Sequence, residues 1–311
     1  MADTLAISQN EQADAAALAQ QGDKSVTRRI MQKAWRTKTF QFGFWIFVVM
    51  VLVSLIWPEI SSVSATKMAV KDKFLPPLFI GEKWSWLHPL GTDQLGRDML
   101  MRCLVGLRYS LMIGIITVVV MFVVGCGLGL VAGFKGKWWE TVIMRITDAQ
   151  LPGPLIILAI TILGISRPTV PTIILVLGLS GWPLYARVAR SAAVTEREKE
   201  YVRGLRVLGA GDWRILLLYA APNILPPIAF VAVLDIARMM IFEAILGFLG
   251  LGIQPPTPSF GSIIADSRKY LINAWWIATM PGVFLAIALT SINLMGSSLE
   301  KARNAVYGGA R

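Results

Sequence analysis

The chain has 311 residues, of which 55% are hydrophobic and only 16% charged, and its mean hydropathy is +0.60. These values exclude an ordinary soluble domain, in which about 25% of residues are charged. The formal charge of +11 does not indicate nucleic-acid binding, because cytoplasmic segments of membrane proteins are themselves enriched in Lys and Arg. Cys103 and Cys126 provide neither a disulfide framework nor a metal-ligand pattern.

Residues 1–39 are predicted to form a cytoplasmic tail that becomes basic from Lys24 onward. The apolar runs that follow are long enough to cross a hydrocarbon core of about 30 Å. They are 40–57, 109–133, 140–164, 170–188, 222–250 and 275–298. The sequence therefore predicts an all-α membrane protein with six transmembrane helices. Lys and Arg are more frequent in the tails and cytoplasmic loops than on the opposite side, which favours cytoplasmic N- and C-termini.

The segment 40–107 is predicted to contain the first transmembrane helix and an extracytoplasmic amphipathic segment. Thr92 or Asp93 is expected to cap an amphipathic helix at the outer membrane surface, because apolar residues recur at helical spacing after them. This helix is interpreted either as an interfacial connector or as a surface that receives substrate. His88, the only histidine, precedes a proline in this loop and is given no catalytic role.

The third predicted span is interrupted by Pro152, Gly153 and Pro154. Proline in a helix removes a backbone hydrogen bond and kinks or opens the helix. In a membrane such a break is tolerated where neighbouring helices or a cavity satisfy the freed backbone groups. These residues are candidates for a gating hinge, and a packing kink is the equal alternative.

The fifth predicted span contains Asp235, Arg238 and Glu243. Asp235 and Arg238 are three residues apart and are expected to neutralise each other on one helix face, with Glu243 on roughly the same face. An ionised side chain at this depth costs at least about 2.5 kcal/mol. The three residues are therefore candidates for a translocation pathway or a subunit interface, and a buried pair that fixes helix packing is the alternative.

The segment 186–226 lies between two apolar runs and carries charges of both signs. Its pattern predicts a helix–turn–helix on the cytoplasmic surface, with Gly209 and Gly211 separating the two helices. Such an element offers a binding surface to something outside the membrane.

Three motifs in this order resemble the C-type permease subunit of dipeptide/oligopeptide ATP-binding-cassette importers. They are HPLGTDQLGRDML at 88–100, the loop that contains GLRVLGAGDWR and APNILPP at 204–227, and FLGLGIQPPTPSFG at 248–261. The resemblance implies a type I importer permease fold with a transmembrane domain at 108–299, a coupling loop at 189–221 and a cytoplasmic tail at 300–311. In that family the coupling helix docks into a groove of the ATPase subunit.

By this resemblance the docking segment extends from Glu200 to Arg214, with Gly209 as the motif glycine. Arg203-Gly204-Leu205 stands where the family has Glu-Ala-Ala, so we expect the ATPase to present an acidic or neutral site to Arg203. The docking residues implied are Glu200, Tyr201, Arg203, Gly204, Leu205, Leu208, Gly209, Ala210, Asp212, Trp213 and Arg214.

The resemblance further implies a heterodimer with a homologous permease, two cytoplasmic ATPases and an extracytoplasmic solute-binding protein, in the bacterial inner membrane. The sequence has no G-x-x-x-x-G-K-[ST] motif, so ATP and magnesium are expected on the partner ATPases, with no catalytic site, metal or cofactor on this chain. Two alternatives remain: a self-sufficient secondary transporter or channel, and a membrane scaffold whose loop binds anionic lipid.

Overall fold

The computed structural model describes residues 26–78, 80, 84–151, 153 and 155–307. Within these residues the chain is α-helical and contains no β-strand, which confirms the all-α prediction. The α-helices are α1 Val26–Trp35, α2 Lys38–Ile60, α3 Met99–Lys135, α4 Lys137–Gln150, α5 Leu155–Ile165, α6 Val170–Arg197, α7 Glu200–Val207, α8 Asp212–Ile215, α9 Ala221–Phe248, α10 Phe260–Ser267 and α11 Trp276–Tyr307. A π-helical turn, Leu216–Ala220, joins α8 to α9.

Helices α3 and α6 pack along most of their lengths, because α3 presents a row of glycines to α6. A Cβ atom on Gly125 or Gly133 would lie 2.5 Å from a backbone oxygen of α6, and one on Gly129 would lie 2.3 Å from the Ala186 oxygen. Real Cβ contacts do not fall below 3.0 Å. Small residues at this spacing let helix backbones approach closely in a membrane, where packing rather than water exclusion drives association.

Helix α9 packs against α3, α6 and α11 and so contacts two parts of the apolar core. Its face toward α3 and α6 carries Ile228 and Met239, which belong to the larger apolar cluster. Its other face carries Ala237 and Met240, which pack with Ile277 of α11. Helix α9 therefore lies between the two apolar clusters and packs against both.

Four of the described helices, α2, α3, α6 and α11, are long and apolar enough to cross a membrane. The predicted third span, 140–164, is divided instead into α4 and the shorter apolar α5. Lys137, Glu140, Arg145 and Asp148 make α4 strongly amphipathic, so its first part differs in character from the apolar span that was predicted, whereas the break between α4 and α5 falls where the helix was expected to kink or open. The count of six transmembrane helices stays a prediction.

The helix expected to follow Thr92 or Asp93 begins later, and this prediction was wrong. Asp98 is the N-cap residue of α3, and its Oδ1 accepts a hydrogen bond of 2.7 Å from the Met101 backbone N–H. Asp93 instead accepts hydrogen bonds from the backbone of Leu95 and Arg97, which closes a turn before the helix starts. Asp98 is the better cap because its backbone is extended immediately before the first helical residue.

Candidate functional site

The segment between α6 and α9 folds as two short helices separated by a glycine turn. Helix α7 ends at Val207, and Gly209 follows with φ +81°, a left-handed backbone angle that glycine adopts without a steric penalty. Gly211 has an extended backbone and immediately precedes α8. The predicted helix–turn–helix with its break at Gly209 and Gly211 is therefore present.

The base of this loop is buried, whereas its tip is exposed and apolar. Val202 of α7 and Ile215 of α8 are fully buried within the larger apolar cluster. At the tip, Val207 is 88% exposed and Leu208 is 83% exposed. Two adjacent large apolar side chains therefore project from an anchored loop, and an exposed apolar patch of this kind is typical of a protein–protein contact.

Most of the residues implied for docking share this exposed surface. Leu205 and Ala210 are half-buried and pack against the apolar core. Val207, which the sequence reasoning did not select, is among the most exposed apolar residues of the loop. The remaining implied residues, Glu200, Tyr201, Arg203, Gly204, Leu208, Gly209, Asp212, Trp213 and Arg214, are exposed.

The charges of the loop are largely compensated within the loop. Arg203 Nη2 donates a hydrogen bond of 3.3 Å to Glu198 Oε2, and Arg206 Nε lies 3.5 Å from Asp212 Oδ1. Hydrogen bonds from Arg203 and then Arg197 lower the pKa of the Glu198 carboxyl below its ordinary value. The positive charge at Arg203 is therefore paired with an exposed acid of its own chain.

The loop also contacts the C-terminal end of α3. Lys135 Nζ lies 4.3 Å from the centre of the Trp213 ring, a cation–π contact. Arg197 Nη1 donates a hydrogen bond of 3.2 Å to the Gly133 carbonyl oxygen, which satisfies an acceptor of the last helical turn. Both α8 and the C-terminal end of α6 are therefore linked to α3.

The interruption between α4 and α5 coincides with the candidate hinge. Helix α4 ends at Gln150, and Gly153 N donates a hydrogen bond of 3.2 Å to the Gln150 carbonyl oxygen. Pro152 and Pro154 lie outside the described residues. The Gln150 side chain also contacts α6, because its Oε1 accepts a hydrogen bond of 3.1 Å from Trp182 Nε1.

Asp235 and Arg238 form the ion pair expected from their spacing. Arg238 Nη1 lies 3.0 Å from Asp235 Oδ1, and Tyr185 Oη of α6 donates a hydrogen bond of 2.5 Å to Asp235 Oδ2. The Asp235 residue is 5% exposed, whereas the Arg238 side chain is 54% exposed. Arg238 therefore reaches the surface of the chain while its partner carboxylate stays inside.

Glu243 does not share this face, and the prediction that placed it there was wrong. It is fully buried, and its Oε2 accepts a hydrogen bond of 2.6 Å from Ser110 Oγ of α3. Its Oε1 has no hydrogen-bond partner among the described residues. Eight helical residues rotate a side chain by about 80° beyond two full turns, which is enough to aim it at a different neighbour.

A cavity of about 1100 Å³ extends from Asp235 toward the loop. Its walls come from α1, α6, α9 and α11, with Tyr201 of α7, and combine apolar side chains such as Val188 and Ile228 with polar and charged ones. Glu196, Asn223 and Arg303 line its polar parts. Of the three charged residues singled out in the fifth predicted span, Asp235 lines this cavity.

A buried polar cluster at the start of α3 escaped the sequence reasoning. His88 Nδ1 lies 2.9 Å from Asp98 Oδ2, and Arg97 Nε donates a hydrogen bond of 2.6 Å to Asp93 Oδ2. Burial raises the pKa of the Asp98 carboxyl above its ordinary value, although the hydrogen bonds from Met101 and His88 oppose this shift. The polar residues of the predicted amphipathic segment therefore lie in the interior of the structure and not on an exposed helix face. His88 has a structural contact that its loop position did not indicate.

Comparison with known proteins relates this architecture to membrane transport. Residues 125–304 match the family described as binding-protein-dependent transport system inner membrane component. The chain is 39% identical over 224 residues to the di/tripeptide transport system permease protein DppC of Pseudomonas aeruginosa, covering 70% of this chain and 74% of the relative. It is 32% identical to the dipeptide transport system permease protein DppC of Haemophilus influenzae, covering 84% of this chain and 88% of the relative.

A solved structure has the same fold. The MetNI methionine ABC transporter in an inward-facing conformation superimposes with a TM-score of 0.54 at 20% sequence identity, covering 66% of this chain and 97% of that chain. At this identity the likeness concerns the fold alone, which is that of a type I importer permease. Together with the family match, these similarities establish that the chain belongs to the binding-protein-dependent transport system inner membrane components.

Proposed function

We propose that this chain is a permease subunit of an ATP-driven importer of peptides or related small solutes. The names of the similar permeases support peptides as the substrate class. The observation that carries the coupling role is the loop α7–α8, which has a buried base at Val202 and Ile215 and an exposed tip at Val207 and Leu208. A loop built in this way transmits a displacement of its tip to the helices behind it.

In this proposal the tip of the loop enters a groove of the ATPase. Full burial of a leucine or valine side chain is worth about 1.5–3 kcal/mol, so Val207 and Leu208 supply much of the contact. Trp213 and Tyr201 border the tip and are also exposed. Closure of the ATPases upon nucleotide binding then displaces α7 and α8, and the permease alternates between outward-facing and inward-facing states.

Arg203 has a defined place in this contact. Because Glu198 already pairs with Arg203, the ATPase needs only a neutral or acidic site opposite it. An exposed ion pair of this kind contributes little to stability, so exchange of Glu198 for an ATPase carboxylate costs little.

The proposed complex contains a second homologous permease, two ATPases and an extracytoplasmic solute-binding protein. ATP and magnesium bind to the ATPases, and this chain carries no catalytic site and binds no cofactor. The chain spans the inner membrane several times, with its N- and C-termini in the cytoplasm. Arg238, which is exposed beside buried Asp235, faces the second permease or the pathway between the two.

The solute is proposed to pass along the surface that includes the cavity at Asp235. The walls of this cavity combine apolar side chains with charged ones such as Glu196 and Arg303, and selectivity is proposed to lie mainly in the binding protein. Pro152, Gly153 and Pro154 would serve as a hinge between α4 and α5. Glu243, sealed against Ser110, is proposed to hold α9 against α3.

The experiment is purification of the tagged chain in mild detergent, followed by mass spectrometry of the bound proteins. We expect a second permease and ATPases with P-loop motifs, and ATP-dependent uptake of trialanine after reconstitution of the complex with the binding protein. The Leu208→Asp variant should lose the ATPases, with affinity lowered at least 10-fold, since an apolar contact is replaced by a charge.

The matched control is Ile272→Asp, which alters an apolar side chain that is 95% exposed outside the loop and should keep the ATPases. Recovery of the chain alone as an oligomer that moves solute without ATP would support the secondary transporter instead. Equal loss of the ATPases in both variants would contradict docking through the tip.

A further inference from the structure

Glu196 occupies a position that is unfavourable for a carboxylate unless other groups stabilise it. It lies in the last turn of α6, where the partial negative charge of the helix C-terminus disfavours an acid. It is also only 7% exposed, so much of its hydration is lost. A carboxylate in such a position is stabilised where specific hydrogen-bond donors replace water.

Those donors come from three separate parts of the chain. Tyr201 Oη, in the first turns of α7, donates a hydrogen bond of 2.7 Å to Glu196 Oε1. Lys199 Nζ lies 2.8 Å from Glu196 Oε2. Asn223 Nδ2, in the first turn of α9, lies 3.5 Å from Oε1 and also donates to the Tyr219 carbonyl oxygen. One carboxylate therefore contacts α7, α9 and the connection between α6 and α7.

The protonation state of Tyr201 suits this arrangement. Partial desolvation of the hydroxyl, together with its hydrogen bond to Glu196, raises the pKa of Tyr201 to about 12. Its hydroxyl therefore keeps its proton and continues to donate at any physiological pH. A hydrogen bond to a charged acceptor is stronger than one between neutral groups.

The contacts that Val202 and Arg203 of α7 make are less suited to hold the helix in one orientation relative to α9. Val202 anchors α7 in the apolar core, but an apolar contact is not directional. The pair Arg203–Glu198 is exposed on both sides and is correspondingly weak. The contacts of Glu196 are the directional, partly buried ones that join α7 to both α6 and α9.

We propose that Glu196 is a positioning residue that fixes α7 relative to α6 and α9, so that displacement of α7 reaches both helices together. This inference rests on the proposed function, in which the loop receives its displacement from an ATPase. Glu196 takes no part in docking itself, because it faces the cavity behind the loop. Its loss should leave ATP hydrolysis intact and reduce the transport obtained from it.

The test uses the complete complex in lipid vesicles and compares Glu196→Ala, Glu196→Gln and Tyr201→Phe with the wild type. Tyr201→Phe removes only the hydroxyl that donates to Glu196 and keeps the exposed ring on the docking surface, so ATPase binding is measured beside it. The measured quantity is trialanine transported per ATP hydrolysed. Loss of a charged hydrogen bond should lower this ratio about 5-fold or more in Glu196→Ala and Tyr201→Phe. Glu196→Gln should retain more of it, because the amide oxygen still accepts from Tyr201. Combining Glu196→Ala with Tyr201→Phe should add little, since both remove the same contact.

A second measurement does not depend on the substrate. Spin labels at Arg206, which is not among the proposed docking residues, and at Ala229, both exposed, report the distance between α7 and α9 in the purified complex, and the native cysteines Cys103 and Cys126 are buried. We expect a narrow distance distribution in the wild type and a broad one in Glu196→Ala. Asp148→Asn is the control, because Asp148 belongs to an exposed ion pair with Arg187 outside the loop, and it should match the wild type in both measurements.

The outcomes separate this inference from the proposed function. A wild-type complex without ATP-dependent uptake overturns the proposed function, and the label distances still decide the role of Glu196. Wild-type uptake together with unchanged ratios and distances in the Glu196 variants overturns this inference alone. Lower thermal stability with an unchanged ratio would reduce Glu196 to a merely structural role. If Glu196→Ala fails to assemble, Glu196→Gln and Tyr201→Phe, which preserve side-chain shape, provide the same comparison.

Discussion

The close contact of α3 with α6 provides the sharpest prediction, through the substitution Gly129→Ala. The added Cβ would lie 2.3 Å from the Ala186 carbonyl oxygen and 2.9 Å from the Ala189 Cβ. An ordinary contact begins at 3.4 Å, so the two helices must separate locally by about 1 Å. Overpacking of this kind typically costs about 1–3 kcal/mol. We expect a value near the upper end, because backbone atoms cannot move aside as a flexible side chain can.

Gly127 provides a matched control in the same helix. A Cβ on Gly127 meets no atom within 4 Å, so Gly127→Ala changes only the intrinsic helix preference, by about 1 kcal/mol in favour of alanine. The comparison therefore isolates packing against α6. The assay is thermal unfolding of each purified variant in detergent and in lipid nanodiscs. Equal midpoints for the two variants would refute the argument that the glycine row sets the distance between α3 and α6.

Three further predictions concern the loop and the start of α3. Gly204→Ala should stabilise α7 by about 1 kcal/mol, because the added Cβ meets open space. Gly209→Ala should destabilise the turn by about 1–2 kcal/mol, because the φ of Gly209 is +81°. Hydrogen exchange of the α7 amides measures both effects, and a stability change of the same sign in the two variants would contradict the turn geometry. Asp98→Ala should cost about 0.5–2 kcal/mol through loss of the N-cap bond to Met101, whereas Asp98→Asn should retain most of that contact. The folded-state pKa of Asp98 is raised, so ionisation of its carboxyl opposes folding. The contribution of Asp98 to stability therefore falls as the pH rises from its ordinary pKa of 3.8 through the folded value. As the pH is raised from about 4 to about 7, the unfolding midpoint of Asp98→Asn should rise relative to that of the wild type, and a relative fall would exclude burial as the dominant cause.

Much of the candidate site could be predicted because the signals are local. The glycines at 209 and 211, the mixed charges around them and the flanking apolar runs indicate two short helices without knowledge of any distant residue. The pair Asp235 and Arg238 follows from helical spacing alone. Val207 was missed because a helical pattern does not reveal which of several apolar residues turns toward the core.

The remaining features depend on residues that are distant in the sequence. Glu196 meets Asn223, and Glu243 meets Ser110, only because α6, α9 and α3 pack side by side. His88 meets Asp98 because the chain before α3 folds back on itself, which no periodicity predicts. The depth of burial that shifts the pKa of Asp98 is likewise a property of the packed chain.

Composition, the apolar runs and the ordered motifs determined by themselves that this protein is a helical membrane permease with a charged, glycine-broken loop. Those features reflect the local cost of exposing apolar surface and of breaking a helix. The tertiary structure alone decided which carboxylate faces which donor, where the cavity lies and which end of the loop is anchored. Burial and directional hydrogen bonds arise only when helices from distant parts of the chain pack together, so their pairing is a property of the fold.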